Sequence, residues 1–226
     1  MRFTSSLSLF ICLWACTTRQ NSESTTIEVD SSTTVQANIQ RDSVVAVTVD
    51  TALLENLLDL DSDEDILKRF GKRISHREEF SSEVEGSWQV TELFHGSKNQ
   101  VTFEWRDSEK FKGLHTVTIS GTDSDWKTKS GVKLGMKRTA LEKLNGKPFL
   151  FYYLGWNFEG QVFWNEGALA SDPIYVVIGA RENSHVDPGL YYPQAPEQIS
   201  SDSEAAKNSD LIVKVISLRK DERTIQ

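Results

Sequence analysis

The stretch Gly131–Phe149, GVKLGMKRTALEKLNGKPF, decides how the rest of the chain is read. A glycine-bounded turn, Gly131 to Gly135, leads into a short amphipathic segment. Met136, Ala140, Leu141 and Leu144 recur on one side at helical spacing, and Lys137, Arg138 and Lys143 fall elsewhere. Asn145-Gly146 stops the helix, because glycine takes the left-handed conformation after a helix without a Cβ penalty. Pro148 bars any continuation. The sequence that follows is aromatic and β-prone. Phe149–Trp156 and Gln161–Trp164 read as strands, Ile174–Ile178 alternates Ile174, Val176 and Ile178, and Leu211–Leu218 reads as a last strand. This stretch therefore sets a helix against a sheet.

Upstream, a similar pattern occurs. Thr51–Leu58 predicts a short helix, and Ser62-x-x-Asp65 fits a capping box ahead of a second one. Ile66, Leu67 and Phe70 form its apolar side and Gly71 ends it. Strands follow at Ser87–Phe94, Gln100–Arg106 and Gly113–Ser120, and Val44–Val49 is β-branched enough for an edge strand. LDSDEDILKRFGK (Leu60–Lys72) and LGMKRTALEKLNGK (Leu134–Lys147) share a leading leucine, two helical turns and a Gly-Lys ending. Helix-then-strands occurring twice predicts an α+β fold, a tandem repeat of short helices packed on antiparallel sheet. The predicted copies are residues 44–129 and 130–219, with a charged tail at 220–226. The second copy holds a long loop at 181–209. Pro188, Pro193, Pro196 and the run Ser200-Ser201-Asp202-Ser203 give it a disordered composition, with Tyr191-Tyr192 packing back.

Residues 1–15 read as a signal peptide: Arg2, then an apolar run from Leu7 to Ala15, too short to span a bilayer. The run ends Leu13-Trp14-Ala15-Cys16, which resembles the lipobox of bacterial lipoproteins. The resemblance implies that Cys16 is diacylated and becomes the mature N-terminus. Thr17, where aspartate would mark inner-membrane retention, implies an outer-membrane anchor. Residues 16–43 then form a lipidated tether, Ser/Thr-rich and almost free of aromatics. A second resemblance lies in the central stretch. Gly131-x-x-x-Gly135-Met136-x-x-x-x-Leu141-x-x-Leu144-x-Gly146-x-Pro148 is similar to the signature of the small outer-membrane-assembly lipoproteins and the β-lactamase-inhibitor-protein-like repeat. It implies short helices on an antiparallel sheet and a protein that binds other proteins. Lys137 stands where that family has a Ser or Thr cap, and Asn145 is an extra residue before the glycine. Lipobox and motif together resemble envelope lipoproteins of Bacteroidetes-type bacteria.

Most chemistry is excluded by composition and spacing. The two cysteines, Cys12 and Cys16, leave no thiol beyond the lipidation position, hence no disulfide framework and no Cys-rich zinc site. A net charge of −8 makes nucleic acid a poor partner, and membrane attachment falls to the acyl chains. Asp59-x-Asp61-x-Asp63-x-Asp65 fails as a calcium loop, because Glu64 stands where glycine is needed and Phe70 where glutamate is needed. His76, His95, His115 and His185 share no metal spacing. There is no G-x-S-x-G, G-x-G-x-x-G or P-loop. No catalytic residue, metal ligand or cofactor is predicted.

Aromatic strands remain as the functional signal. In Phe149–Trp156 both faces are apolar, and such a strand is buried on both sides or presents an interaction surface. Tyr152, Trp156 and Trp164 are the candidate binding surface, since Trp and Tyr dominate interface hot spots. The expectation is a lipid-anchored binding or assembly module of the cell envelope with a protein partner there. The alternative is an envelope hydrolase or carbohydrate-active enzyme using carboxylates that no motif marks.

Overall fold

The structure is a computed structural model that describes residues 52–81, 86–155, 158–191 and 197–220. The first strands follow from alternation. Helix α1 (Asp63–Phe70) is capped by Ser62, whose hydroxyl oxygen accepts from the Asp65 N–H at 3.3 Å, as the capping pattern predicts. The Asp61 N–H and the Ser62 hydroxyl donate to the Asp65 carboxylate and hold its pKa below the usual range. An antiparallel meander follows: β1 (Ile74–Ser81), β2 (Gly86–Leu93), β3 (Val101–Asp107) and β4 (Lys112–Ser120).

After a long loop comes α2 (Arg138–Asn145), and Gly146 ends it at φ 77°, the left-handed stop read from Asn145-Gly146. The chain continues through β5 (Leu150–Tyr152), β6 (Val162–Phe163), a 3-10 turn at Ala168–Ser171 and β7 (Ile174–Ala180). It ends with β8 (Gln198–Ser200), α3 (Glu204–Lys207) and β9 (Leu211–Arg219).

The expected tandem α+β repeat does not form. The described residues make nine strands in two antiparallel sheets with three short helices, a mainly-β architecture. The reason is pairing across the halves. β9 adds to β4 and β7 adds to β9, giving one six-stranded sheet in the order β1-β2-β3-β4-β9-β7. The strands expected to form a second unit thus complete the first. Only β6-β5-β8 forms a separate, three-stranded sheet. It is joined to the edge of the large one where Gln161 bridges Val177. Helices of two turns each shield too little area to define two α+β layers.

A single hydrophobic core fills the space beneath the six strands, with Phe103, Val117, Ile216 and Val176 among its fully or nearly fully buried members. Leu141 of α2 is fully buried there, whereas Leu144, expected beside it, stays 36 % exposed. The described parts of the loop at 181–209 depart from its disordered composition. Its serines cap and bond: Ser203 accepts from the Ala206 N–H at 3.2 Å, and the Ser201 hydroxyl accepts from the Phe149 N–H at 3.0 Å. The Arg138 guanidinium, itself nearly buried, donates to the Ser201 carbonyl at 2.8 Å and fastens α2 to this segment. Tyr191 is exposed; Tyr192 lies outside the described residues, as do Cys16, Val44–Val49 and Trp156.

Candidate functional site

The two faces of the large sheet differ, and strand register says how. Opposite the core face, one cross-strand row holds Glu104, Thr116 and Arg219 on β3, β4 and β9. The next row holds Thr102, Thr118, Ser217 and Tyr175 on β3, β4, β9 and β7. Strands lie about 4.8 Å apart and same-face residues about 6.8 Å apart along a strand, so Glu104 and Arg219 flank Thr116 and Tyr175 closes the second row. The Thr118 and Ser217 hydroxyls bond each other at 2.8 Å. His115 joins by irregularity: β3 pairs Glu104 with Thr116 but Trp105 with Leu114, leaving His115 as the extra residue of a bulge. Bulges re-aim side chains in this way.

Over the β7 side of this face stands a wall built from the segment around β6. Its rings cluster on β5: Phe163 meets Tyr152 edge-on at 5.1 Å and Phe158 meets it at 6.1 Å. Two devices hold the wall. Gly160, at φ 70°, lets its carbonyl accept from the Ile178 N–H at 2.9 Å, with no room for a side chain between the two backbones. Behind the wall, buried Asn145 donates to the carbonyls of Lys147 and Trp164, both at 3.0 Å, and accepts from the Leu169 N–H at 3.3 Å. The 3-10 turn so fixed leads to Asp172 at the rim. Floor and wall enclose an open groove of about 930 Å³.

The groove brings together several side chains with unused bonding capacity. Among the described residues, the side chains of Glu104, His115, Asp172 and Arg219 make no hydrogen bond or ion pair, although all four line it. Elsewhere the arginines are engaged: Arg138 with Glu142, Arg181 with Asp210, Arg77 with Glu79 and Glu92. Two of the few exposed large apolar side chains, Phe158 at 57 % and Tyr175 at 41 %, also line the groove. Partial burial pushes the Tyr175 phenol up from an ordinary value already above neutral pH, and its hydroxyl bears its proton there.

Two other polar clusters are saturated, and their role is structural. Asp63 at the start of α1 accepts from the Thr91 hydroxyl and pairs with His76, and the Trp105 indole N–H donates to Thr91 at 3.0 Å. Glu92 is only 2 % exposed; it accepts from Arg77 at 2.8 Å and Gln100 at 3.1 Å and pairs with His95. Burial pushes its carboxyl up, but the bonds from Arg77 and His95 outweigh that and hold it below its ordinary value. A carboxyl with a depressed folded pKa stabilises the fold above the unfolded pKa, and that contribution is lost as pH falls through the folded one. Glu92→Gln is expected to cost about 1.5–3 kcal/mol near neutral pH. The gap from wild type should close on acidification, as urea midpoints measured down the pH scale will show. A gap independent of pH would contradict this account.

Of the binding surface read from sequence, Tyr152 stands half-buried in the wall. Trp164 is 9 % exposed and packs edge-on against Phe149 at 6.0 Å, so most of its surface belongs to the core behind the groove. Glu104, His115, Tyr175 and Arg219 were missed. Their signal was the polar half of each alternating strand, such as Thr116 and Thr118 beside Val117 and Ile119. No group of three or more His, Cys, Asp or Glu among the described residues is placed to hold a metal ion. No described helix is long and apolar enough to cross a membrane. No family model, curated protein or solved structure matches the chain.

Proposed function

We propose that the chain is a lipid-anchored binding module of a bacterial cell envelope and that the groove is its binding site. The observation that carries the reading is the convergence of unpartnered Glu104, Asp172, Arg219 and His115 with the exposed rings of Phe158 and Tyr175. Polar groups left without partners beside exposed aromatics are what a ligand site offers before it is filled. The anchor rests on the lipobox-like Leu13-Trp14-Ala15-Cys16, and the 16–43 tether would keep the site at high local concentration near envelope partners. The fold implied by the resemblance in the central stretch plays no part in this reading.

The test has two arms. Cys16→Ser is expected to move the protein from the detergent-extracted membrane fraction to the soluble one; unchanged membrane association would refute the anchor. Crosslinking in intact envelopes is expected to capture a component with the wild type and lose it with Tyr175→Ala. Equal capture by both would refute the groove. A second reading is an envelope hydrolase. Two carboxylates, Glu104 and Asp172, line one groove, which is the minimum a general acid and base require. Turnover that disappears in Glu104→Gln while binding persists would favour it.

A further inference from the structure

Resting on the groove reading, we infer that the occupant is a neutral glycan, a short run of linked sugar rings. The argument starts from the inventory of donors and acceptors. Glu104 and Asp172 can only accept, Arg219 can only donate, and Thr116, Ser217 and the Tyr175 hydroxyl do both. An anionic ligand such as a phosphate would satisfy Arg219 and be repelled by two carboxylates. An ammonium ligand would satisfy the carboxylates and be repelled by Arg219. A ligand of one charge sign cannot satisfy the whole set, whereas groups that each donate and accept, hydroxyls or amides, can.

Geometry favours the hydroxyls. A peptide that binds along a sheet takes its main-chain bonds from a free edge. Here the floor is a sheet face, and the backbones of β4 and β9 beneath it already bond on both sides. Over β4 and β9 the groove therefore offers side chains alone; β7 at its margin is the edge strand of the sheet, so an extended peptide pairing there is the competing occupant. A sugar ring fits that offer, with hydroxyls around its rim and an apolar C–H surface on its face. The rim reaches the two rows of polar side chains, and the face lies on Phe158 or Tyr175, whose rings are exposed and stand on wall and floor. At about 930 Å³ the groove stands near the upper end of the ~300–1,000 Å³ typical of ligand sites, room for several rings rather than one.

The test uses maltopentaose, cellopentaose, chitopentaose and mannopentaose, each titrated into the full-length chain in a sugar-free detergent and followed by calorimetry. At least one is expected to bind with Kd at or below ~1 mM. Tyr175→Ala and Phe158→Ala should each weaken it about tenfold. Phe80→Ala, which removes an exposed ring on β1 outside the groove, should leave it unchanged. Absence of binding by all four sugars at ~10 mM overturns the glycan. So does binding that persists in both groove variants. Envelope crosslinking then separates the two levels. If Tyr175→Ala still abolishes capture, the groove stands with an occupant of another class; if capture is also unaffected, the groove reading falls with the glycan.

Discussion

Gly160→Ala is expected to detach the groove wall from the six-stranded sheet. A Cβ at this position would lie 1.8 Å from the Ile178 carbonyl oxygen, which is backbone and cannot swing away. The φ of 70° adds about 1–2 kcal/mol for any L side chain. Relief requires β6 to leave β7, breaking the Ile178 N–H bond to Gly160 and the bridge between Gln161 and Val177. Buried polar groups left unpaired cost about 1–3 kcal/mol each, so a total of about 3–5 kcal/mol is expected. The far-ultraviolet β signal should persist, because the pairing from β1 through β9 to β7 does not pass through Gly160. Ligand capture should be lost. A variant with wild-type urea midpoint and full capture would show that the wall is not held here.

The second large effect is expected at Asn145, which is 1 % exposed. Its side chain serves three backbone groups from three segments: the carbonyls of Lys147 and Trp164 and the N–H of Leu169. Asn145→Ala strands all three in a place water enters poorly, and about 3–5 kcal/mol of stability should go with them. Asn145→Asp should be worse still. It keeps the bond from Leu169 but turns an acceptor toward two carbonyls, with a charge to bury. Thermal and urea unfolding of the two variants check this, and an alanine variant as stable as wild type would refute the role. From the sequence this residue was one insertion too many before a glycine; in the structure it ties helix, strand and turn together behind the groove.

What could be read from the sequence was local. Ser62 as a cap, Gly146 as a left-handed stop, and the strands around Trp88, Phe103, Val117 and Val213 follow from contacts within a few residues, and they were legible. β1 was missed because its sequence, ISHREEFS, is that of a charged edge strand with little apolar alternation. The fold class was misread for a different reason. Two helix-then-strand patterns look like a repeat until β4 is known to pair with β9, and nothing within either segment names its partner. The site has the same split. That Phe149–Trp156 is apolar on both faces was visible. Phe149 and Phe151 prove fully buried while Tyr152 on the alternate face stays half-buried in the wall. That Glu104 and Arg219, over a hundred residues apart, would share one row was not visible, because it depends on register across three strands.

The position of β9 has a consequence for how the large sheet assembles. It is the last of the described strands in chain order, yet it sits in the interior of the sheet, between β4 and β7. Without residues 211–219 the meander ends in an open edge at β4, and β7 has no neighbour in the large sheet, its remaining strand-type link being the bridge to Gln161. Pairings this distant in sequence form slowly, since loop closure precedes the contacts that reward it. The meander of β1 to β4 pairs locally without β9, and the large sheet is completed only when residues 211–219 join β4 to β7.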